Sequence, residues 1–145
     1  MAQMSWTMKK TVQRWFLRWK FRSLLIPEGA RWKEYVLDRL KHPSATDPYH
    51  GRFVTFDLLV NPEKHSVIIN SFVVNGEYQS RGVGTAVIRE ILSNLPNHYV
   101  LRISMVRYDN LAMQGLMRKL GFRPTSPHFI EQKQSTHFIS PPVSK

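Results

Sequence analysis

A glycine turn lies between an apolar run typical of a strand and an amphipathic run typical of a helix. It consists of Gln79, Ser80, Arg81, Gly82, Val83 and Gly84. The first backbone N–H groups of a helix have no partner within the helix, and the helix dipole favours negative charge there. Glycines lack a Cβ atom, so the backbone of such a turn can approach a phosphate closely. The sequence therefore predicts a phosphate or pyrophosphate site at residues 79–85, with Arg81 and Arg89 adding positive charge.

Two common nucleotide-binding patterns are absent from this turn. The chain has no Gly-x-x-x-x-Gly-Lys-Ser/Thr pattern, and no third glycine follows Gly84 until Gly115. A P-loop nucleotidase and a Rossmann dehydrogenase are both disfavoured, because each needs its glycines at a fixed spacing around the phosphates. Taken alone, the turn also fits a plain connection between a strand and a helix.

The elements around the turn must position it, and their hydrophobic periods predict an alternating order. Strands are predicted over residues 11–26, 52–60, 66–74 and 99–106, helices over residues 27–40, 85–95 and 111–120, and a final short strand over residues 137–139. The second and third strands are expected to form an antiparallel hairpin. The first run also fits a helix, but its aromatic and β-branched residues favour a strand. This order implies a mixed sheet covered by helices.

The length and composition limit the classes of protein that remain. With 145 residues and 42% hydrophobic content, the chain is expected to form a single domain over residues 1–145. It divides into a basic N-terminal segment (1–26), a motif-bearing core (52–122) and a short tail (123–145). The absence of cysteine excludes disulfides, Cys-ligated metals and a thiol nucleophile, and the histidines show no metal-ligand spacing. No apolar run reaches the roughly 18 to 20 residues of a membrane span, so we expect a cytoplasmic protein with no membrane partner. From the lack of metal-ligand spacing we expect no metal.

Positive charge is the most unusual bulk property of the chain. The formal net charge is +11, and six basic residues precede the first acidic residue, Glu28. Such a surface attracts phosphates, acidic proteins and anionic membranes without choosing among them. For the Trp-rich and Arg-rich N-terminal run, a buried strand face backed by a solvated basic face is favoured over nucleic-acid binding, which stays open.

Two motifs together resemble a known family, the GNAT superfamily of N-acyltransferases. Residues 74–85 resemble its pyrophosphate signature, Gln/Arg-x-x-Gly-x-Gly/Ala, with Gly76 where a proline usually stands. Residues 110–122 resemble its helix segment Asn-x-x-Ala-x-x-Leu-Tyr-x-Lys-x-Gly-Phe. The two motifs occur in the family's order with a strand between them, and the resemblance covers about residues 52–122.

The resemblance implies both a fold and a donor site. The fold would be α/β (α+β), a mixed and mainly antiparallel central sheet flanked by helices, with a splayed strand pair forming an acyl-CoA cleft. Acetyl-CoA would pair with the backbone of Phe72, Val73 and Val74. Its pyrophosphate would be held by Gln79, Ser80, Arg81, Gly82, Val83, Gly84 and Thr85, and Asn110 would lie near the thioester.

The acid and base of the resembled family have no direct counterparts in this chain. The usual tyrosine acid is replaced by Met117, which cannot donate a proton. Tyr108 and Ser104 are the nearest substitutes by sequence. Residues 68–74 carry no acidic side chain where some relatives have a glutamate base, so Asp57, Glu77 and a water chain are the candidates for that role.

The resemblance implies an N-acetyltransferase in which a primary amine attacks acetyl-CoA directly within a ternary complex. The alternative is a catalytically impaired CoA-binding module that uses its basic surface to bind nucleic acid or a protein partner. The charge makes an acidic or nucleic-acid-associated acceptor, such as a charged tRNA or a protein, the expected partner. A small-molecule amine and a homodimer both remain open.

Overall fold

Helix α1 is the first element of the computed structural model, which describes residues 25–145. The helix is described over residues 25–41, so the predicted strand is wrong at residues 25 and 26. The reason is that the buried face formed by Glu28, Trp32 and Val36 continues back to Leu25 at helical spacing. The remainder of the predicted first strand lies outside the described residues.

Within residues 25–145, six strands form one sheet in the order β1-β2-β3-β4-β6-β5. They are β1 (Tyr49–His50), β2 (Val54–Asn61), β3 (Ser66–Val74), β4 (Val100–Val106), β5 (Arg123–Pro124) and β6 (Thr136–Ile139). Strands β3 and β4 are parallel, and the other neighbours are antiparallel. The predicted hairpin of β2 and β3 and the mixed, mainly antiparallel sheet are confirmed. Strands β1 and β5 have two residues each, which is too short for a period to be visible.

Helices α2 (Val83–Asn94) and α3 (Leu111–Lys119) begin within two residues of their predicted starts. Helix α2 buries Val87, Ile88 and Ile91, whose spacing predicted it. Asn110 caps α3, as predicted, because its side chain accepts a hydrogen bond from the Met113 amide at 3.2 Å. Buried residues of all three helices belong to one hydrophobic cluster with the sheet. Within residues 25–145, no helix combines the length and apolarity needed to cross a membrane.

The parallel pair of β3 and β4 separates partway along its length. Paired positions run from Ser66 opposite Val100 to Ile69 opposite Ile103. Just beyond the last pair, Ser71 and Met105 adopt φ values of 52° and 58°. Residues other than glycine rarely adopt positive φ, and an irregular residue of this kind bends a strand out of its ladder. The two left-handed residues thus accompany the splayed strand pair that the predicted fold requires.

Candidate functional site

The N-terminus of α2 is not capped by a side chain. Its N-cap residue is Gly82, with φ 83°, and the first amide bonded within the helix is that of Ala86, which donates to Gly82 O at 3.0 Å. Among residues 25–145, no side-chain oxygen accepts a hydrogen bond from the amides of residues 83–85. Three backbone donors and the positive end of the helix dipole therefore remain available to an anion.

The two glycines of this turn have different roles. Gly82 needs its residue type for conformation, because φ is positive and a Cβ atom there would meet no atom within 4 Å. At Gly84, by contrast, a Cβ atom would lie 3.1 Å from Leu116 Cδ2 and 3.7 Å from Phe72 Cε1. The first glycine shapes the turn, and the second lets α2 approach α3 and β3 closely.

Side-chain contacts attach the turn to the end of β3. The Gln79 amide Nε2 donates to Val74 O at 3.1 Å. Asn75 Nδ2 donates to Arg52 O at 2.5 Å, and the Tyr78 ring lies edge-on to Phe53 with centroids 4.4 Å apart. These contacts hold the turn at the point where β3 ends, so the α2 N-terminus faces the space beside that strand.

Two neighbouring cavities follow from this arrangement. The first, of about 460 Å³, lies at the α2 N-terminus. The second, of about 530 Å³, occupies the split between β3 and β4. Phe72, Asn110 and Met113 line both cavities. The cavity at the uncapped helix and the cavity between the splayed strands are therefore adjacent and share part of their lining.

Most residues predicted to bind the donor line the cavity at the α2 N-terminus. They are Phe72, Val74, Gln79, Ser80, Gly82, Val83, Gly84, Thr85 and Asn110. The side chains of Val73 and Arg81 do not line it and are exposed, since alternation along β3 turns Val73 to the opposite face. No site role was predicted for Tyr78 and Leu116, which also line this cavity, although the spacing of three residues between Met113 and Leu116 could have indicated Leu116.

The structure separates the four predicted catalytic candidates into two groups. Asp57 and Ser104 line the cavity between the splayed strands. Glu77 is exposed in the 3₁₀ turn Gly76–Tyr78, and Tyr108 is half-buried, and neither lines either cavity. Met117, at the usual tyrosine position, is fully buried in the hydrophobic core.

The lining of the split cavity combines one carboxylate with neutral polar groups. Asp57 is the only charged side chain that residues 25–145 contribute to it. The Ser104 hydroxyl of β4 donates to Asn70 Oδ1 of β3 at 2.5 Å and thereby bridges the two separated strands. A carboxylate beside hydroxyl and amide groups can accept a proton from a reacting amine and hold the acceptor by hydrogen bonds.

Tyr35 of α1 lies behind Asp57 and was not identified from the sequence. Its hydroxyl is 3.4 Å from Asp57 Oδ1 and donates to Asp47 O at 2.8 Å. Burial raises the pKa of Tyr35, and the neighbouring Arg39 opposes that rise. Tyr35 therefore stays neutral at physiological pH. Its separation from Asp57 in the chain gives no local pattern that could have linked the two residues.

Comparison with known proteins gives a consistent family match. A family model described as acetyltransferase (GNAT) family matches residues 10–122. The structure resembles the ribosomal-protein-S18-alanine N-acetyltransferase from Escherichia coli, with 18% identity over 70% of this chain and 72% of that chain and a TM-score of 0.52. It also resembles Ard1 from Thermoplasma volcanium, with 21% identity over 76% of this chain and 78% of that chain and a TM-score of 0.51.

A further similar structure is an acetyltransferase of the GNAT family from Staphylococcus aureus Mu50. Identity is 11%, the TM-score is 0.47, and the match covers 63% of this chain and 60% of that protein's length. No curated protein matches this chain at a significant level. At their identities, the similarities to the Escherichia coli and Thermoplasma volcanium structures establish the fold.

Proposed function

We propose that this chain, which belongs to the GNAT family of acetyltransferases, transfers an acetyl group from acetyl-CoA to a primary amine. The observation that carries the proposal is the pair of adjacent cavities, one at the uncapped α2 N-terminus and one in the split between β3 and β4. We assign the diphosphate and the extended arm of the donor to the first cavity and the acceptor to the second. Acetyl-CoA, when bound, supplies an acyl group activated as a thioester.

The residues around the α2 N-terminus suit the diphosphate of the donor. The amides of Val83, Gly84 and Thr85 point out of the first helical turn, and Gly82 leaves open space where a side chain would stand. Beyond Ile69, β3 pairs with β2 but has no paired position on β4, so its edge toward the split can bond an extended arm as an added strand does.

The residues around the strand split suit the acceptor. Asp57 lines this split and, in the proposed reaction, takes the proton that the amine loses as its nitrogen becomes a nucleophile. Ser104 and Asn70 are joined by one hydrogen bond and keep further donor and acceptor capacity with which to orient the acceptor. A thiolate is a fair leaving group, so the burial of Met117 in place of an acid does not prevent the reaction.

The acceptor is proposed to be an amine on an acidic or nucleic-acid-associated molecule. The net charge of +11 steers such molecules to the protein over a long range. At short range, the Asp57 carboxylate attracts the amine itself. One similar structure is named as an N-acetyltransferase of a ribosomal protein, which is an acceptor of this kind. The impaired-module alternative is weakened because Asp57 supplies the carboxylate that β3 lacks.

A thiol-release assay with acetyl-CoA and a panel of amines, peptides and aminoacyl-tRNA tests the proposal. Turnover with any acceptor supports it. CoA binding without turnover on the whole panel, combined with salt-sensitive binding of RNA or DNA, supports the module instead. The full chain should be used, since the basic N-terminal segment belongs to the charge that is invoked.

A matched pair of charge substitutions tests the donor site separately. Ser80→Asp adds a carboxylate beside the α2 N-terminus. The helix dipole stabilises this carboxylate, but the carboxylate repels a diphosphate. We expect it to weaken acetyl-CoA binding by at least about 10-fold, consistent with a charge effect above 1.4 kcal/mol. Ser93→Asp, at the exposed opposite end of α2, is the control and should leave binding unchanged. Equal affinities of the two variants would place the diphosphate elsewhere.

A further inference from the structure

Tyr35 contacts the carboxylate to which the proposed function gives the role of base. We propose that Tyr35 is a positioning residue, which holds the Asp57 carboxylate in the orientation needed to accept the amine proton. This inference rests on the proposed function, because it assigns Tyr35 a role that acts through Asp57. Neither the family motifs nor the cavity lining includes Tyr35.

The ring of Tyr35 is held on several sides. The rings of Tyr49 and Phe56 lie edge-on to it, with centroids 5.6 and 5.5 Å away. The Arg39 guanidinium lies 4.8 Å from its centroid, which is within the range of a cation–π contact. These contacts leave the hydroxyl oxygen little freedom, so the oxygen is a fixed reference point for Asp57.

The hydrogen bonds of the hydroxyl determine what it offers to the carboxylate. A tyrosine hydroxyl has one hydrogen, and here the shorter contact, 2.8 Å, is to Asp47 O, which also accepts from Arg39 Nη2. The 3.4 Å contact to Asp57 Oδ1 is at the limit of a hydrogen bond. The Tyr35 oxygen accepts a hydrogen bond from the Leu58 amide at 3.4 Å, and with its hydrogen directed at Asp47 O it keeps one further lone pair for Asp57.

This arrangement suits a base that becomes protonated. As the amine nitrogen forms its bond to the acyl carbon, the C–S electron pair leaves with the CoA sulfur, and the amine proton forms an O–H bond on Asp57. The protonated carboxyl can then donate to the Tyr35 oxygen, which orients it until the proton passes to the thiolate or to solvent. Burial raises the pKa of Tyr35, so the hydroxyl stays neutral and does not repel the carboxylate.

Tyr35→Phe tests the inference, since it removes the hydroxyl and keeps the ring. We expect kcat to fall by about 10-fold, the loss typical of a misplaced or unpaired group at a reacting centre, with KM for acetyl-CoA unchanged. Tyr49→Phe is the matched control. It removes the hydroxyl of a neighbouring buried tyrosine, for which the described residues provide no hydrogen-bond partner, and it keeps the ring that packs against Tyr35.

A double-mutant cycle separates positioning from general damage. If Tyr35 acts through Asp57, adding Tyr35→Phe to Asp57→Asn should lower kcat by less than about twofold, because coupled residues are not additive. The same loss in both backgrounds would overturn the inference. So would an unchanged kcat for Tyr35→Phe in an active protein that melts cooperatively.

A spectroscopic measurement decides the contact without relying on turnover. The chain has four aspartates, so the ¹³C carboxyl spectrum of aspartate-labelled protein is simple, and Asp57→Asn identifies its resonance. Tyr35→Phe should move that resonance and leave the Asp109 resonance in place, whereas Tyr49→Phe should move neither. An unmoved Asp57 resonance refutes the contact. A wild-type protein with no turnover on any acceptor refutes the proposed function, and the resonance still decides Tyr35.

Discussion

Gly82 offers the sharpest test of how the turn before α2 works. Its φ is 83°, and a Cβ atom placed on it would meet nothing within 4 Å. The cost of Gly82→Ala is therefore one of backbone conformation alone, about 1–2 kcal/mol for a non-glycine residue in the left-handed region. For a chain of this size, that corresponds to a loss of about 2–8 °C in Tm. Relaxation of the turn would also redirect the amides of residues 83–85 and weaken acetyl-CoA binding.

Two companion variants isolate the effect of φ. Gly82→Asn should lose less stability than Gly82→Ala, because asparagine tolerates the left-handed region better. Gly76→Ala is the control, since a Cβ atom at Gly76 also meets nothing within 4 Å but φ there is not in the left-handed region. It should be neutral or stabilising by up to about 1 kcal/mol.

Thermal melts with and without acetyl-CoA measure both parts of the prediction. A ligand at 100 times its Kd stabilises a protein by about 2.7 kcal/mol, so the shift in the wild type should be readily detected. The shift should shrink in Gly82→Ala and persist in Gly76→Ala. Equal Tm values for the two alanine variants would refute the strain argument. A destabilised Gly82→Ala with a full acetyl-CoA shift would show that the turn does not bind the diphosphate.

Three further predictions concern the cleft and the core. Asp57→Asn should lower kcat about 100-fold or more, and calorimetry should show an unchanged affinity for acetyl-CoA. The control Asp109→Asn, at an exposed ion pair, should retain activity. Comparable activity of the two variants would exclude Asp57 as the base. Burial raises the pKa of Tyr49 to about 12, so the folded state holds this proton more tightly than the unfolded state does. The contribution of Tyr49 to the free energy of unfolding should therefore be constant below about pH 10 and fall by about 2 kcal/mol between about pH 10 and 12. Urea melts of Tyr49→Phe should lack this alkaline loss of unfolding free energy. The same alkaline loss in the variant and the wild type would contradict the assignment of the loss to Tyr49. Met105 is 65% exposed and has φ 58°. Met105→Gly should therefore relieve about 1–2 kcal/mol of backbone strain, which exceeds the entropy cost of about 0.5–1 kcal/mol that glycine adds. Its Tm should be higher than that of Met105→Ala, and a lower Tm would contradict the strain argument.

Local sequence signals predicted the elements that carry the donor site. The turn before α2, the Asn110 cap of α3 and the hairpin of β2 and β3 each follow from residues that are close together in the chain. The GNAT motifs rest on the same segments, which is why the family was identified from them. The fold class followed in turn, because the motifs fix the order of strand, turn and helix around the sheet.

The parts that the sequence did not predict depend on tertiary contacts. Residues 25 and 26 continue a helix because Leu25 packs against the core, although their local pattern fits a strand equally well. The contact between Tyr35 and Asp57 joins α1 to β2 across 22 positions, and no spacing rule covers such a pair. Separating Asp57 from Glu77 as candidate bases likewise required knowing which carboxylate lines the strand split.

The wall shared by the two cavities has a consequence for how this protein can change. Phe72, Asn110 and Met113 each border both compartments. Under the proposed function, a substitution at any of them alters the room for the acyl group and for its recipient together. The acyl length that the protein accepts and its choice of recipient are then linked. A substitution at one of these three residues that changes the recipient also changes which thioesters are accepted. Ser71, which borders only the split, is a position where recipient preference can diverge alone.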